Sequence, residues 1–151
     1  MNIPTQIATV LLGLLAGAPL LLAMGLVPYW QALEPASFVS IFRDNSGHIA
    51  SFMMPLGFSA TGITWLALGL AIWKKMPSKN WLIAASICAL CMLATFPIYF
   101  SGANAALAEG AVPATELANA LSQWQLVHWV RTLAATAGCI CALKAVQASA
   151  D

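Results

Sequence analysis

Polar residues along this chain collect between apolar runs, and four of those runs approach the length a membrane helix requires. Crossing the hydrocarbon takes roughly 20 predominantly apolar residues. The pattern predicts spans over about 5–27, 51–73, 81–100 and 124–146, with one short and two longer connections. The expected fold is all-α: an integral membrane four-helix bundle forming one domain over 1–151, with short interfacial helices in the two longer loops.

The first run is read as a retained span. Its start, M-N-I-P-T-Q, carries no Lys or Arg, and its apolar stretch exceeds the core of a secretion signal. Gly13, Ala16 and Gly17 offer a small-residue stripe for close helix approach. Pro28 is expected to close the helix. Within the connection Tyr29–Ala50, Phe38, Ile41 and Phe42 are spaced as on one helix face, predicting a short interfacial helix over Pro35–Arg43 with Tyr29 and Trp30 at headgroup level. Pro55 and Gly57 fall near the start of the second span. Pro97 is expected to kink the end of the third. In the connection Ser101–Gln123, Thr115 is the expected N-cap of a helix over Glu116–Gln123 that runs into the fourth span.

Composition agrees with that pattern: 61% of residues are hydrophobic and 7% charged, where soluble domains carry about 25% charged residues. A net charge of +1 gives no reason to invoke nucleic acid. Lys74, Lys75, Lys79 and Lys144 fall on the side shared by both termini, and Arg43 and Arg131 on the other. The positive-inside rule then places both termini in the cytoplasm, and the expected location is a bacterial inner membrane. Glu34, Asp44, Glu109, Glu116, His48, His128, Asn104 and Tyr99 all gather at the opposite, outer end. The bilayer itself is the first partner implied. A lipophilic small molecule, a homo-oligomer or a larger membrane complex would be the others.

The chemistry-bearing stretch is Ala120–Thr132, A-L-S-Q-W-Q-L-V-H-W-V-R-T. Trp124, His128 and Arg131 stand at i, i+4 and i+7, on one helix face. Ionisable residues entering a span together need partners or a task. One reading makes them a polar pocket, with Arg131 holding an anionic oxygen, His128 acting as acid, base or metal ligand, and Trp124 stacking on a flat ligand or on Arg131. The other makes Arg131 snorkel or pair with Glu116 or Asp44 while His128 caps a neighbouring backbone. His48 and His128 each begin a span on the same side, so with a carboxylate they would suit copper, iron or zinc, although no tight ligand spacing is present. Asn104, in S-G-A-N, is a turn former or a pocket donor. Cys88 and Cys91 share a depth with Cys139 and Cys141. They are read as small buried hydrophobes, or else as a thiolate metal site. Trp30, Trp73, Trp81 and Trp129 are expected in interfacial belts and Trp65 in mid-span packing.

The chain resembles the anthrone oxygenase-like family of small four-span membrane proteins, largely a domain of unknown function. The likeness runs through Gly13–Ala18 (G-L-L-A-G-A), Val27-Pro28, Phe96-Pro97 and Ser101-Gly102-Ala103-Asn104, and is strongest in W-x-x-x-H-x-x-R-T, Trp124 to Thr132. It departs from the family at Gly25-Leu26-Val27, where an acidic residue commonly precedes the proline, and at His48, where tyrosine is common. The resemblance implies a monooxygenase that oxidises a lipophilic phenolic, anthrone-like substrate with dioxygen. His128 and Arg131 would be catalytic, and Trp124 and Asn104 would bind substrate; Tyr99, at the same outer end, is expected as a further substrate contact. A metal at His48 and His128, copper or iron, or no metal at all, stays open. The contrasting expectation is a non-catalytic accessory subunit or ligand-binding module of a larger membrane complex.

Overall fold

A computed structural model describes residues 3–149. Four helices account for nearly all of them: α1 (Ile3–Gln31), α2 (Pro35–Trp73), α3 (Lys79–Glu109) and α4 (Leu117–Gln147), each long and apolar enough to cross a membrane. They form an antiparallel bundle. Cys139 Sγ donates to the Thr9 carbonyl (3.5 Å) and Gln125 Nε2 to the Ala23 carbonyl (2.7 Å), so α4 descends as α1 rises. Ala145 packs with Ala71 and Leu82, which brings the α2–α3 turn to the end where α4 finishes.

The ends of α1 and α3 and the start of α2 overrun the boundaries that the apolar pattern suggested, while α2 stops at Trp73 and α4 takes in the helix expected over Glu116–Gln123. Pro28 does not close its helix, and α3 likewise runs on past Pro97. In α1 the backbone widens into a π turn over Leu22–Leu26, where the Val27 N–H meets the Leu22 carbonyl, and the helix continues to Gln31. In α3 a second π turn over Phe96–Phe100 holds Pro97, and the helix runs on to Glu109. A π turn widens the backbone where the proline ring would otherwise clash with the preceding turn. The expected long loops are therefore mostly helix. Residues 35–50 are the first half of the 39-residue α2 rather than a separate interfacial helix. At 1.5 Å per residue α2 is about 58 Å long, well beyond a hydrocarbon core of about 30 Å. Pro55 consequently lies inside α2 rather than near its start. Thr115 is not a cap; Glu116 precedes α4 without a side-chain cap. Gly110, at φ 70°, ends α3 in the left-handed conformation that glycine adopts without cost.

Core side chains change size along the bundle. Near the α2–α3 turn the interior is Ala67, Ala71, Leu82 and Ala145. The middle layer is mainly Ala60, Ala85, Ala89, Ala135 and Ala142 with Leu12, Leu15 and Met92. Gly138 belongs to this layer: a Cβ there would lie 3.1 Å from Cys88 Cβ. At the other end the core is aromatic, with Trp30, Phe38, Phe42, Phe100 and Trp124. Trp30 is thus not an interfacial residue. It is buried, 5.4 Å from Trp124 and 5.2 Å from Phe42 between ring centroids, both edge-on. Trp65, by contrast, lies half exposed on the bundle surface.

Candidate functional site

The spacing that singled out Trp124, His128 and Arg131 does place them together on the inward face of α4, where all three are buried. They form one wall of a cavity of about 500 Å³ at the aromatic end. The facing wall comes from α2, where Phe42, Ser46, Ile49 and Met53 recur at i, i+4, i+7 and i+11, and from α3 through Met92, Phe96, Phe100 and Asn104. Met54, Phe58, Leu90 and Pro97 line the cavity yet are exposed on the bundle surface. They mark a lateral mouth between α2 and α3, at a level where the helices are apolar.

Within this apolar chamber the polar groups are few and fixed. Trp124 Nε1 donates to Asn104 Oδ1 (2.8 Å), which ties α4 to α3 just beyond the π turn. The Trp124 ring lies 4.0 Å from the His128 ring, and Phe100 lies 4.4 Å from His128 on another side. His128 is 1% exposed, and neither Nδ1 nor Nε2 has a hydrogen-bond partner. Leaving such groups unpaired in an apolar interior costs about 1–3 kcal/mol each. Arg131 places its guanidinium carbon 4.9 Å from the centroid of Phe100, a cation–π contact, and its Nε makes no hydrogen bond. The π face it meets is therefore Phe100 rather than Trp124. Asp44 and Glu116, considered as ion-pair partners from the sequence, are both exposed.

The structure brings together His128, Arg131, Trp124 and Asn104 and leaves two expected members aside. Tyr99 is half-buried and packs edge-on against Phe100 (5.3 Å between centroids), outside the cavity wall. His48 is exposed and does not line the cavity; on α2 it is turned away from the Phe42–Ser46–Ile49–Met53 stripe. Among the described residues, no three His, Cys, Asp or Glu side chains are grouped to hold a metal ion. The donor set therefore does not fit a copper or iron centre built on His48 and His128. All four cysteines are free thiols, and Cys139 packs against α1. The cavity's α2 wall and Phe100 were not recognised as site residues in the sequence. The stripe from Phe42 to Met53 was a readable signal, but it crosses a stretch with enough polar residues to pass for a loop.

These features define a class: a four-helix protein with membrane-length apolar helices and a laterally open, apolar cavity ending in an arginine and an unpartnered histidine. Compared with known proteins, the chain matches no family model, no curated protein and no solved structure.

Proposed function

We propose that the cavity takes a flat, lipophilic, weakly acidic phenolic compound from the bilayer and promotes its oxidation by dioxygen, as in anthrone oxygenase-like proteins. The observation that carries this reading is the buried, unpartnered imidazole of His128 beside the Arg131 guanidinium on an otherwise apolar wall. A buried cation with no hydrogen-bonded anion attracts an oxyanion, and an imidazole with both nitrogens free can exchange a proton with the ligand. The orientation follows from the lysines: the end with the α2–α3 turn faces the cytoplasm and the cavity opens within the outer half of the bilayer.

The substrate enters between Met54 and Phe58 of α2 and Leu90 and Pro97 of α3. Its ring system packs against Phe100 and the methionines, and its phenolic oxygen lies at Arg131. His128 removes a proton from the ring CH₂ group, and Arg131 stabilises the resulting enolate-like anion. The carbanion's electron pair forms a C–O bond to dioxygen, and the peroxide anion takes the proton back from His128. Loss of the second CH₂ hydrogen with cleavage of the O–O bond gives the ketone and water. Overall, CH₂ and O₂ become C=O and H₂O, with dioxygen as the only oxidant. Asn104 acts through Trp124, holding the indole that packs against the His128 ring.

The test is oxygen consumption and quinone absorbance with a hydroxylated anthrone, using protein in lipid nanodiscs. The wild type should exceed the protein-free rate, and His128→Ala should lower the increment by about 10²–10⁴-fold, the usual worth of a general base, with unchanged thermal unfolding. Substrate binding without any increment in the wild type would overturn the oxygenase reading and leave a ligand-binding module. No binding at all would reject the cavity as the site.

A further inference from the structure

The opposite end of the bundle carries a second, chemically different hollow. It has a volume of about 830 Å³ and is lined by Ile72, Lys75, Met76, Pro77, Lys79, Asn80 and Ile83 around the α2–α3 turn. We propose that it is a binding site for the phosphate headgroup of an anionic phospholipid, with the acyl chains lying along the apolar flanks below the lysines.

Positive charge is concentrated at this turn. Lys74, Lys75 and Lys79 fall within six residues, and the sequence holds no Asp or Glu between Asp44 and Glu109. Lys144, near the end of α4, is at the same end, because Ala145 packs with Ala71 and Leu82. Four of the five acidic residues, Glu34, Asp44, Glu109 and Glu116, lie toward the other end, and the fifth, Asp151, falls outside the described residues. The turn thus has a concentrated positive charge with no acidic neighbour in sequence.

The backbone of the turn fixes where that charge sits. Lys75 has a φ of 52°, a conformation that ordinarily selects glycine. It occupies the position after α2 in a Schellman turn: the Lys75 N–H meets the Ile72 carbonyl (3.1 Å) and the Met76 N–H meets the Ala71 carbonyl (2.8 Å). A lysine in that place projects from a closed, hydrogen-bonded turn rather than from a loose loop. Lys79 and Asn80 begin α3 and supply further donors to the same hollow.

The flanks complete the match to an amphiphile. Ile72 is 56% exposed and Ile83 41%, and Trp73 and Trp81 are exposed on the two helices just beneath the turn. Cationic donors above apolar and indole surface, one helical turn apart, reproduce the profile of a phospholipid from phosphate to glycerol to chain. A soluble phosphate would use the donors and leave the apolar flanks idle, so the lipid is the better occupant.

The test is native mass spectrometry of the detergent-solubilised full chain with phosphatidylglycerol, phosphatidylcholine or inorganic phosphate added, comparing wild type, the double variant Lys75→Ala/Lys79→Ala, and Lys144→Ala. Near an anionic surface each lysine contributes about 1 kcal/mol, which is near fivefold in affinity, so the double variant should retain phosphatidylglycerol about 30-fold less well. Lys144→Ala should change retention far less. Equal retention of phosphatidylcholine and phosphatidylglycerol by the wild type, unchanged retention by the double variant, or displacement of the lipid by inorganic phosphate at comparable concentration would each overturn the proposal. Thermal unfolding of the double variant without lipid, expected to match the wild type, separates lost binding from lost folding.

Discussion

Replacing Gln125 with leucine keeps the bulk of the side chain and removes the one donor that reaches the Ala23 carbonyl from α4. That carbonyl needs an outside donor for a reason written in the sequence. In the π register over Leu22–Leu26, residue 27 bonds to residue 22, so residue 28 would bond to residue 23. Residue 28 is proline and has no N–H. Ala23 is fully buried, so water cannot substitute. An unpaired buried acceptor costs about 1–3 kcal/mol, while side-chain hydrogen bonds between membrane helices average about 0.6 and reach about 1.7 kcal/mol. Gln125→Leu is therefore expected to destabilise the bundle by about 1 kcal/mol, read as a shift in reversible unfolding in mixed detergent micelles. Pro28→Ala restores an N–H to α1, so the Ala23 carbonyl is met within its own helix in either register. In that background Gln125→Leu should cost almost nothing, giving a coupling of about 1 kcal/mol between residues 28 and 125 in a double-mutant cycle. Equal costs in the two backgrounds would refute the reasoning.

Two other substitutions test the packing behind the site. Asn104→Ala leaves the Trp124 Nε1–H without its acceptor. It should lower stability by about 1 kcal/mol, shift the Trp124 indole resonance in nitrogen-15 NMR spectra, and reduce turnover of the anthrone probe; an unmoved resonance would mean that Asn104 does not hold the ring. Gly138→Ala sets a methyl 3.1 Å from Cys88 Cβ in the alanine-rich middle layer. Overpacking of this kind costs about 1–3 kcal/mol, and the lowered unfolding temperature should be relieved by adding Cys88→Gly, which removes the opposing atom.

How much of this was legible in the sequence differs by feature. The four helices were, because apolar runs of that length have few alternatives. Their ends were legible only where α2 stops at Trp73 and where α4, from Leu117, runs through the expected helix into the fourth span. Pro28 and Pro97 are local stop signals, and whether a chain continues through proline depends on neighbours such as Gln125 that sequence spacing does not reveal. Residues 35–50 carry Arg43, Asp44, Asn45 and His48 on exposed faces and Phe38 and Phe42 on a buried one. That is an amphipathic helix resting on other helices, which the sequence presents much as it would an interfacial one. The α4 part of the site was legible for the opposite reason: i, i+4 and i+7 within a single helix fixes a common face. His48 shows the limit of pairing by depth alone, since two residues at similar levels still need rotations that face each other. Trp30 shows the same for belts, because an aromatic near a predicted boundary can be turned inward by the aromatic rings around it.

The grading of core side chains, from alanine at the lysine end to tryptophan and phenylalanine at the other, has a geometric consequence. Helices meeting through alanine can approach more closely than helices separated by stacked rings, so this grading favours a wedge over a cylinder. The chamber inside the bundle then belongs at the aromatic end, where rigid rings act as spacers and leave room that aliphatic chains would have closed. Wedges also occupy unequal areas in the two halves of a bilayer. The packing that opens a chamber for a ligand would thus also couple this protein to the curvature and lateral pressure of the membrane around it.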